Sequence, residues 1–165
     1  MDEIAAYLEK LGYAVEDQGQ IKHFLLVLKD SLPVGFILPD YSVRMIEDVD
    51  DTAAGVLPKV INFVKANQGL PMAGKSEYIV ATYRGNQLTT FFDVNSGLVK
   101  YAVYTINQDS GELTIDGQPY ESYDNAALAF VTVTGMIRMD ELEPPKVPLN
   151  HRWRRKLARR LLNGI

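Results

Sequence analysis

The strongest constraint on the fold of this chain is a series of short extended segments between residues 77 and 116. The segments cover residues 78–84, 88–94, 98–106 and 113–115. Between them stand Gly85-Asn86, Asn95-Ser96-Gly97 and Asp109-Ser110-Gly111. Gly and Asn tolerate the positive φ angles that tight turns between antiparallel strands require. The pattern therefore predicts a meander of antiparallel strands over about residues 77–116.

Segments with helical periodicity precede these strands. In residues 2–11, apolar side chains recur at helical spacing, with Asp2 as the expected N-cap and Gly12 as the expected stop. Residues 53–67 repeat apolar side chains at i, i+3, i+4 and i+7. Because proline fits best in the first turn of a helix, Pro58 predicts that the regular part begins only one residue before it.

Residues 124–139 carry two opposing signals. Asp124 suits an N-cap and the alanine-rich stretch after it favours helix. The β-branched residues at 131–134 favour strand instead. We predict a helix over 124–139, and a strand is the open alternative.

Shorter extended segments lie before the meander, at residues 13–16, 21–28, 36–38 and 41–47, with a break at 31–35. Since strands and helices do not alternate as βαβ units, a parallel sheet is not expected. We predict the α+β class, as a single domain with a mainly antiparallel sheet and helices packed on one face. This order of elements is similar to that of small acidic secretion-chaperone-like folds. The likeness concerns order alone and implies no function.

Charge divides the chain unevenly. Residues 1–150 contain 21 Asp and Glu against 11 Lys and Arg, a net charge of −10, whereas residues 151–165 contain 6 Lys and Arg and no acid. Prolines are concentrated just before this basic end. The sequence thus predicts an α+β domain at 1–140, a Pro-rich linker at 141–150 and a basic amphipathic helix at 151–165.

The basic C-terminal helix is the main candidate for partner binding. The predicted partner-binding residues are Arg152, Trp153, Arg155, Lys156, Leu157, Arg159 and Arg160. Three interpretations are open: the helix docks on its own acidic domain, binds another protein or a second subunit, or binds nucleic acid or an anionic surface. Docking on its own domain would bury Trp153, Leu157 and Leu161.

Residues 69–76 match the phosphate-loop pattern G-x-x-x-x-G-K-[ST], with Gly69, Gly74, Lys75 and Ser76 at the fixed positions. Such a loop needs a strand before it and a helix after it, so that the helix N-terminus faces the phosphates. Here helical periodicity precedes the loop and an extended segment follows it. The context favours an ordinary loop, and nucleotide binding through these four residues is an alternative hypothesis.

Other signatures of catalysis or metal binding are weak. The chain has no cysteine, which excludes disulfides, thiolate metal sites and cysteine nucleophiles, and its 2 histidines form no zinc motif. The acids at 47–51 lack the glycine of a calcium loop, and a hairpin explains residues 93–97. We therefore predict no metal and no cofactor. The rival class is an enzyme with a carboxylate site or a site centred on Lys75, which a deep pocket joining Lys75, Ser76 and Asp93 would favour.

These observations favour a non-enzymatic binding or accessory protein that acts through protein–protein contacts. The longest apolar runs, at residues 24–28 and 126–131, are far too short to span a membrane. The acidic N-terminus does not resemble a secretory signal, and the absence of cysteine fits a reducing compartment. We expect a cytoplasmic location.

Overall fold

Two antiparallel sheets and four helices make up the part of the chain that the structure describes. The structure is a computed structural model; it describes residues 1–19, 24–47, 51–136 and 152–163, without the side chains of residues 51, 152–155 and 157. The predicted α+β class with antiparallel pairing is confirmed, but the strands are divided between two sheets. No helix among the described residues combines the length and hydropathy needed to cross a membrane.

Each sheet is a four-stranded meander in which neighbours in sequence are neighbours in the sheet. The helices are α1 (Asp2–Lys10), α2 (Asp51–Ala66), α3 (Tyr123–Val133) and α4 (Arg152–Leu162). The first sheet contains β1 (Ala14–Asp17), β2 (Leu25–Lys29), β3 (Leu32–Ile37) and β4 (Val43–Met45). The second sheet contains β5 (Glu77–Tyr83), β6 (Asn86–Asp93), β7 (Leu98–Ile106) and β8 (Leu113–Ile115).

The chain divides into two compact units, whereas the prediction gathers residues 1–140 in one domain. The first unit contains Met1–Gly69, Gly74–Ser76 and Phe92–Leu98, and the second contains Leu70–Ala73, Glu77–Phe91 and Val99–Ile165. The predicted boundaries near residues 140 and 150, and the linker between them, lie outside the described residues. They stay predictions.

In the first unit, α1 is held by the side chain of Tyr7. This tyrosine is fully buried, and its hydroxyl donates to the carbonyl oxygen of Ser76 at 2.9 Å and accepts from the backbone N–H of Phe92 at 3.1 Å. Its ring lies 5.5 Å from the ring of Phe63 on α2. Met1, not the predicted Asp2, occupies the N-cap position, and Asp2 lies in the first turn, where the helix dipole favours a negative charge.

Helix α2 begins at Asp51, so the predicted start next to Pro58 is wrong. Pro58 lies in the middle of the helix with an exposed side chain, where it removes one backbone hydrogen bond. Ala53 and Val56 before it and Val60 and Ile61 after it are all buried. Because burial of this continuous apolar face outweighs the local cost of the proline, the helix runs through it.

The predicted break at residues 31–35 is also wrong, because β3 begins at Leu32 and includes Pro33. The chain reverses at Asp30 and Ser31, whose φ angles are 52° and 66°. Positive φ at both central residues is typical of the two-residue turns that suit a hairpin. Pro33 lies opposite Leu28, next to an irregularity in the register of β2, which accommodates a residue without an N–H.

The predicted meander is confirmed in the second sheet, with its first turn displaced by one residue. The chain reverses at Arg84 and Gly85, whose φ angles are 50° and 83°, and Asn86 already belongs to β6. The Asn86 amide donates to the carbonyl of Tyr83 at 2.9 Å and accepts from the N–H of Ile106 at 3.0 Å. Asn86 therefore fixes the hairpin to β7.

The helix predicted at residues 124–139 is present as α3, which ends at Val133. Its β-branched end stays helical because Phe130 and Val131 are buried in the core. The hydroxyls of Thr132 and of the C-cap Thr134 each donate to the carbonyl oxygen four residues earlier, at 2.7 and 2.6 Å. Gly135, with φ of 69°, lies just beyond it. One face of α3 is buried with residues of β6, β7 and α4: Leu88, Val103, Ala126, Ala127, Phe130, Val131, Ala158 and Leu162.

Candidate functional site

An open cleft of about 500 Å³ lies within the second unit, between α3 and the segment that follows β8. The lining residues are Asp116, Tyr120, Asn125, Leu128, Ala129, Thr132 and Val133. Most of these side chains are apolar or aromatic, and one carries a charge. We take this cleft as the candidate functional site.

One wall of the cleft is a single face of α3. Its five residues, Asn125, Leu128, Ala129, Thr132 and Val133, form the outer stripe. They follow helical spacing, and at 3.6 residues per turn they fall on the side opposite to the buried face of α3. Val133 is 42% exposed. Within this stripe, Leu128 and Ala129 also pack against the core, and Val133 is the apolar side chain most exposed at the cleft.

Thr132 belongs to this apolar wall despite its hydroxyl group. The hydroxyl donates to the carbonyl oxygen of Leu128 at 2.7 Å, inside the helix itself. Such a bond satisfies the polar atom locally and leaves the methyl group as the part available for apolar contact.

The opposite wall is fixed to the edge of β7 by backbone hydrogen bonds. The N–H of Asp116 donates to the carbonyl oxygen of Val103 at 2.7 Å. Tyr120 and Tyr101 exchange both backbone bonds, at 2.7 and 2.8 Å. Because these bonds use main-chain atoms, they position the Asp116 and Tyr120 side chains without engaging their polar groups.

The chain segment that supplies the lining of the cleft is acidic. Residues 101–136 contain five acids and no Lys, Arg or His. The acids are Asp109, Glu112, Asp116, Glu121 and Asp124. Asp116 lines the cleft, and Glu121 and Asp124 are sequence neighbours of lining residues. The cleft therefore combines partly apolar walls with the carboxylate of Asp116 in its lining and that of Glu121 next to it.

Helix α4 packs against α3, next to its buried face. Ala158 and Leu162 are buried in the shared core. The guanidinium of Arg159 forms an ion pair with the carboxylate of Asp124 at 2.6 Å and lies 5.7 Å from the ring centre of Tyr123. Burial raises the pKa of Tyr123, and the nearby positive charge of Arg159 opposes that rise.

The apolar contact of α4 differs from the predicted one. Leu161 is 37% exposed, so the expectation that docking buries it is wrong. The side chains of Trp153 and Leu157 lie outside the described residues. Among the described side chains of α4, Ala158 and Leu162, one turn apart, are the ones buried in the core.

The predicted partner-binding residues of α4 fall into two groups. Lys156 and Arg160 are exposed, and Arg159, also exposed, is joined to Asp124. The side chains of Arg152, Trp153, Arg155 and Leu157 lie outside the described residues. Partner binding by α4 stays a prediction.

The phosphate-loop pattern at residues 69–76 joins α2 to β5, so a strand follows the loop where a phosphate loop requires a helix. Gly69, with φ of 87°, follows the end of α2, and Gly74 and Lys75 are exposed. The N–H of Ala73 donates to the carbonyl oxygen of Glu77 at 2.8 Å. This local order gives the loop no helix N-terminus to face an anion.

A cross-strand polar cluster in the second sheet is centred on Glu77. The hydroxyls of Thr89 and Tyr104 donate to the two carboxylate oxygens of Glu77 at 2.8 and 2.9 Å. Burial, together with the hydrogen bond and the negative charge of Glu77, raises the pKa of Tyr104 to about 12. With both oxygens bonded inside the sheet, the carboxylate ties β5, β6 and β7 together.

The turn at Asp93 has the bonds of a hairpin, as predicted. The Asp93 carboxylate accepts from the N–H of Asn95 at 3.1 Å and from the hydroxyl of Ser96 at 2.8 Å. The N–H of Gly97 closes the turn on the Asp93 carbonyl at 2.8 Å. Within the described residues no three His, Asp or Glu side chains gather as metal ligands. Residues 48–50, part of the predicted acidic cluster, lie outside them.

None of the residues that line the cleft was among the predicted site residues. Two signals in the sequence point to them: the second apolar stripe of α3, and the lack of cations over residues 101–136. Both become meaningful only when it is known which face of the predicted helix borders the cleft. Comparison of the chain with protein-family models, curated proteins and solved structures finds no match.

Proposed function

We propose that the protein is a non-enzymatic binding protein whose cleft beside α3 receives an apolar segment of another polypeptide. The partly exposed apolar side chains of the outer stripe carry this proposal. Val133 is 42% exposed, and Leu128 and Ala129 line the cleft while also packing against the core. Burial of exposed apolar surface gains roughly 25 cal/mol per Å², so a complementary segment has a driving force for binding. Such a segment would present side chains at helical or strand spacing to the stripe.

The openness of the cleft favours a polypeptide over a small molecule. Sites for small molecules enclose most of the ligand surface within concave walls. Here Val133 is almost half exposed, and Leu128 and Ala129 are only partly buried. A ligand that lies along the helix contacts such a surface better than one that needs to be enclosed.

Selection of displayed peptides against the full chain tests the proposal. The cleft is blocked by Val133→Arg, at an exposed position near the end of α3, and Leu32→Arg is the matched control, at a side chain of the first unit that is 64% exposed. We expect enriched peptides to lose at least about tenfold in affinity on Val133→Arg and to keep it on Leu32→Arg. Peptides that bind all three proteins equally, or no enrichment, would refute the proposal.

A second candidate function is the binding of nucleic acid or another anionic partner through α4. Exposed Lys156 and Arg160 support it, although Arg159 is engaged with Asp124. Binding of this kind should weaken steeply as salt is raised and should be lost on Lys156→Gln with Arg160→Gln. Nucleotide binding at residues 69–76 has no comparable support. The absence of cysteine keeps a cytoplasmic location as our proposal.

A further inference from the structure

We infer that the segment received by the cleft is a cationic amphipathic helix of another protein. The inference rests on the proposed function and specifies the chemistry of the partner. It follows from the charge around the cleft and from the way in which α3 already binds a basic helix of its own chain.

Acids predominate at the cleft. Asp116 is the charged residue of the lining, and the exposed Glu121 follows the lining residue Tyr120. The carboxylate of Asp124 is already paired with Arg159 of α4. An acidic partner would bring like charges together at the rim, which disfavours binding, whereas a cationic partner gains from the same field. The charge of the site therefore selects for Lys or Arg beside the apolar contact.

The contact between α3 and α4 shows the same combination of forces inside the protein. Ala158 and Leu162 enter an apolar core while Arg159 pairs with Asp124 at its border. The cleft offers the same combination of charge and apolar surface. The carboxylate of Asp116 lines it together with the partly buried side chains of Leu128 and Ala129. A helix with an apolar stripe and flanking cations would satisfy both features at once.

The helical form of the partner follows from the shape of the wall. The outer stripe presents rows of side chains at i, i+3, i+4 and i+7 along α3. Such ridges fit the grooves of a second helix at preferred crossing angles. Amphipathic helices lying in apolar grooves are a common mode of peptide recognition.

Three synthetic peptides distinguish the charge of the partner from its apolar contact. One is a helical peptide with leucine on one face and lysine on the other, one replaces every lysine by glutamate, and one scrambles the lysine peptide. Fluorescence anisotropy with the full chain should give binding of the lysine peptide that is at least about tenfold tighter than that of the other two.

Variants then locate the interaction. Asp116→Asn keeps the backbone bond to Val103 and should weaken the lysine peptide about two- to fivefold, and Val133→Arg should abolish its binding. Asp109→Asn removes the same charge from the exposed β7–β8 turn and is the matched control, with no change expected. Salt at about 0.5 M should weaken the lysine peptide and remove the effect of Asp116→Asn.

Several other results would contradict the inference, and each would show which part of it is wrong. If the glutamate peptide binds as tightly, or if Val133→Arg leaves lysine-peptide binding intact, the assignment of a cationic partner in this cleft is wrong. If the displayed peptides depend on Val133 but are neutral or acidic, the charge assignment fails while the proposed function stands. A dimer that Val133→Arg dissociates would identify the occupant as a second copy. A crosslink from the cleft to the chain's own residues 137–150 would also overturn it.

Discussion

One hydroxyl group, that of Tyr7, joins three separate stretches of the first unit. It links α1 to Ser76, which precedes β5, and to Phe92, near the end of β6. Both partners are backbone groups in buried or partly buried positions. A tyrosine here serves as a polar anchor inside an otherwise apolar contact, because its hydroxyl donates one bond and accepts another.

Tyr7→Phe should destabilise the protein by about 1–3 kcal/mol, because it leaves the Phe92 N–H and the Ser76 carbonyl without this partner while keeping the ring. Urea unfolding measures the change. Tyr41→Phe is the control in the same unit: its ring, 4.5 Å from the Lys65 ammonium, is retained, so we expect a change within about 0.5 kcal/mol. Equal effects of the two substitutions would contradict the anchoring role.

The Tyr104 phenol gives a prediction about pH. Its pKa is about 12 in the folded protein against 10.0 ordinarily, so the folded state favours the protonated phenol. The stabilising contribution is complete below pH 10 and is lost as the pH rises towards 12.

Glu77→Gln should lower the pKa of Tyr104, because it removes the negative charge but keeps an acceptor, whereas Glu112→Gln at an exposed site should not. NMR titration of labelled tyrosines would decide, and an unchanged Tyr104 pKa in Glu77→Gln would be inconsistent with this account.

At the scale of elements, the parts predicted correctly are those that local chemistry determines. The second meander follows from Gly and Asn at its turns, and even there the first turn is displaced to Arg84. The turn at Asp30 and Ser31 was missed because neither residue signals positive φ as strongly as glycine does. The start of α2 was missed because its stability comes from burial against other elements, which local rules for proline do not include.

The candidate site was missed for a related reason. A helix was predicted over residues 124–139, but its sequence does not show that the face with Leu128, Thr132 and Val133 borders a cleft. The other wall depends on the bridge between Tyr101 and Tyr120, a long-range pairing with no local signal. Conversely, the phosphate-loop pattern is a strong local signal whose context is wrong, and the order of helix and strand around it was predictable.

Pro58 in α2 allows a test of how strongly tertiary packing outweighs the poor helix propensity of proline. Pro58→Ala should stabilise the protein by about 1–3 kcal/mol, because it restores a backbone N–H in the helix interior at an exposed position. Pro39→Ala is the control, at an exposed turn position, and should lower stability by about 0.4–1 kcal/mol through added freedom of the unfolded chain. Thermal unfolding followed by circular dichroism gives both values. A loss of stability in Pro58→Ala would show that the proline ring is needed where it lies.

At the scale of the whole molecule, the same order of elements occurs twice. Strands β1–β4 form a meander followed by α2, and strands β5–β8 form a meander followed by α3. The two helices differ in what they bury: α2 has one continuous buried face, whereas α3 has its core face and also the outer stripe. The chain continues after α3 to the basic α4, so the second unit combines an acidic strand–helix segment with the cations of the C-terminus.

Whether apolar contact or charge holds α4 in place can be tested with two adjacent leucines. Leu162 is 8% exposed in the core of the second unit, whereas Leu161 is 37% exposed. Leu162→Ala should therefore lower the free energy of unfolding by about 2–4 kcal/mol, and Leu161→Ala by less than about 1 kcal/mol. Arg159→Gln, which breaks an ion pair with an exposed arginine, should cost about 0.2–1 kcal/mol and lose its effect at high salt. Hydrogen exchange of the α3 amides reports the local stability of this contact. Equal protection in the two leucine variants, together with a larger loss in Arg159→Gln, would mean that charge and not burial keeps the basic helix on its own unit.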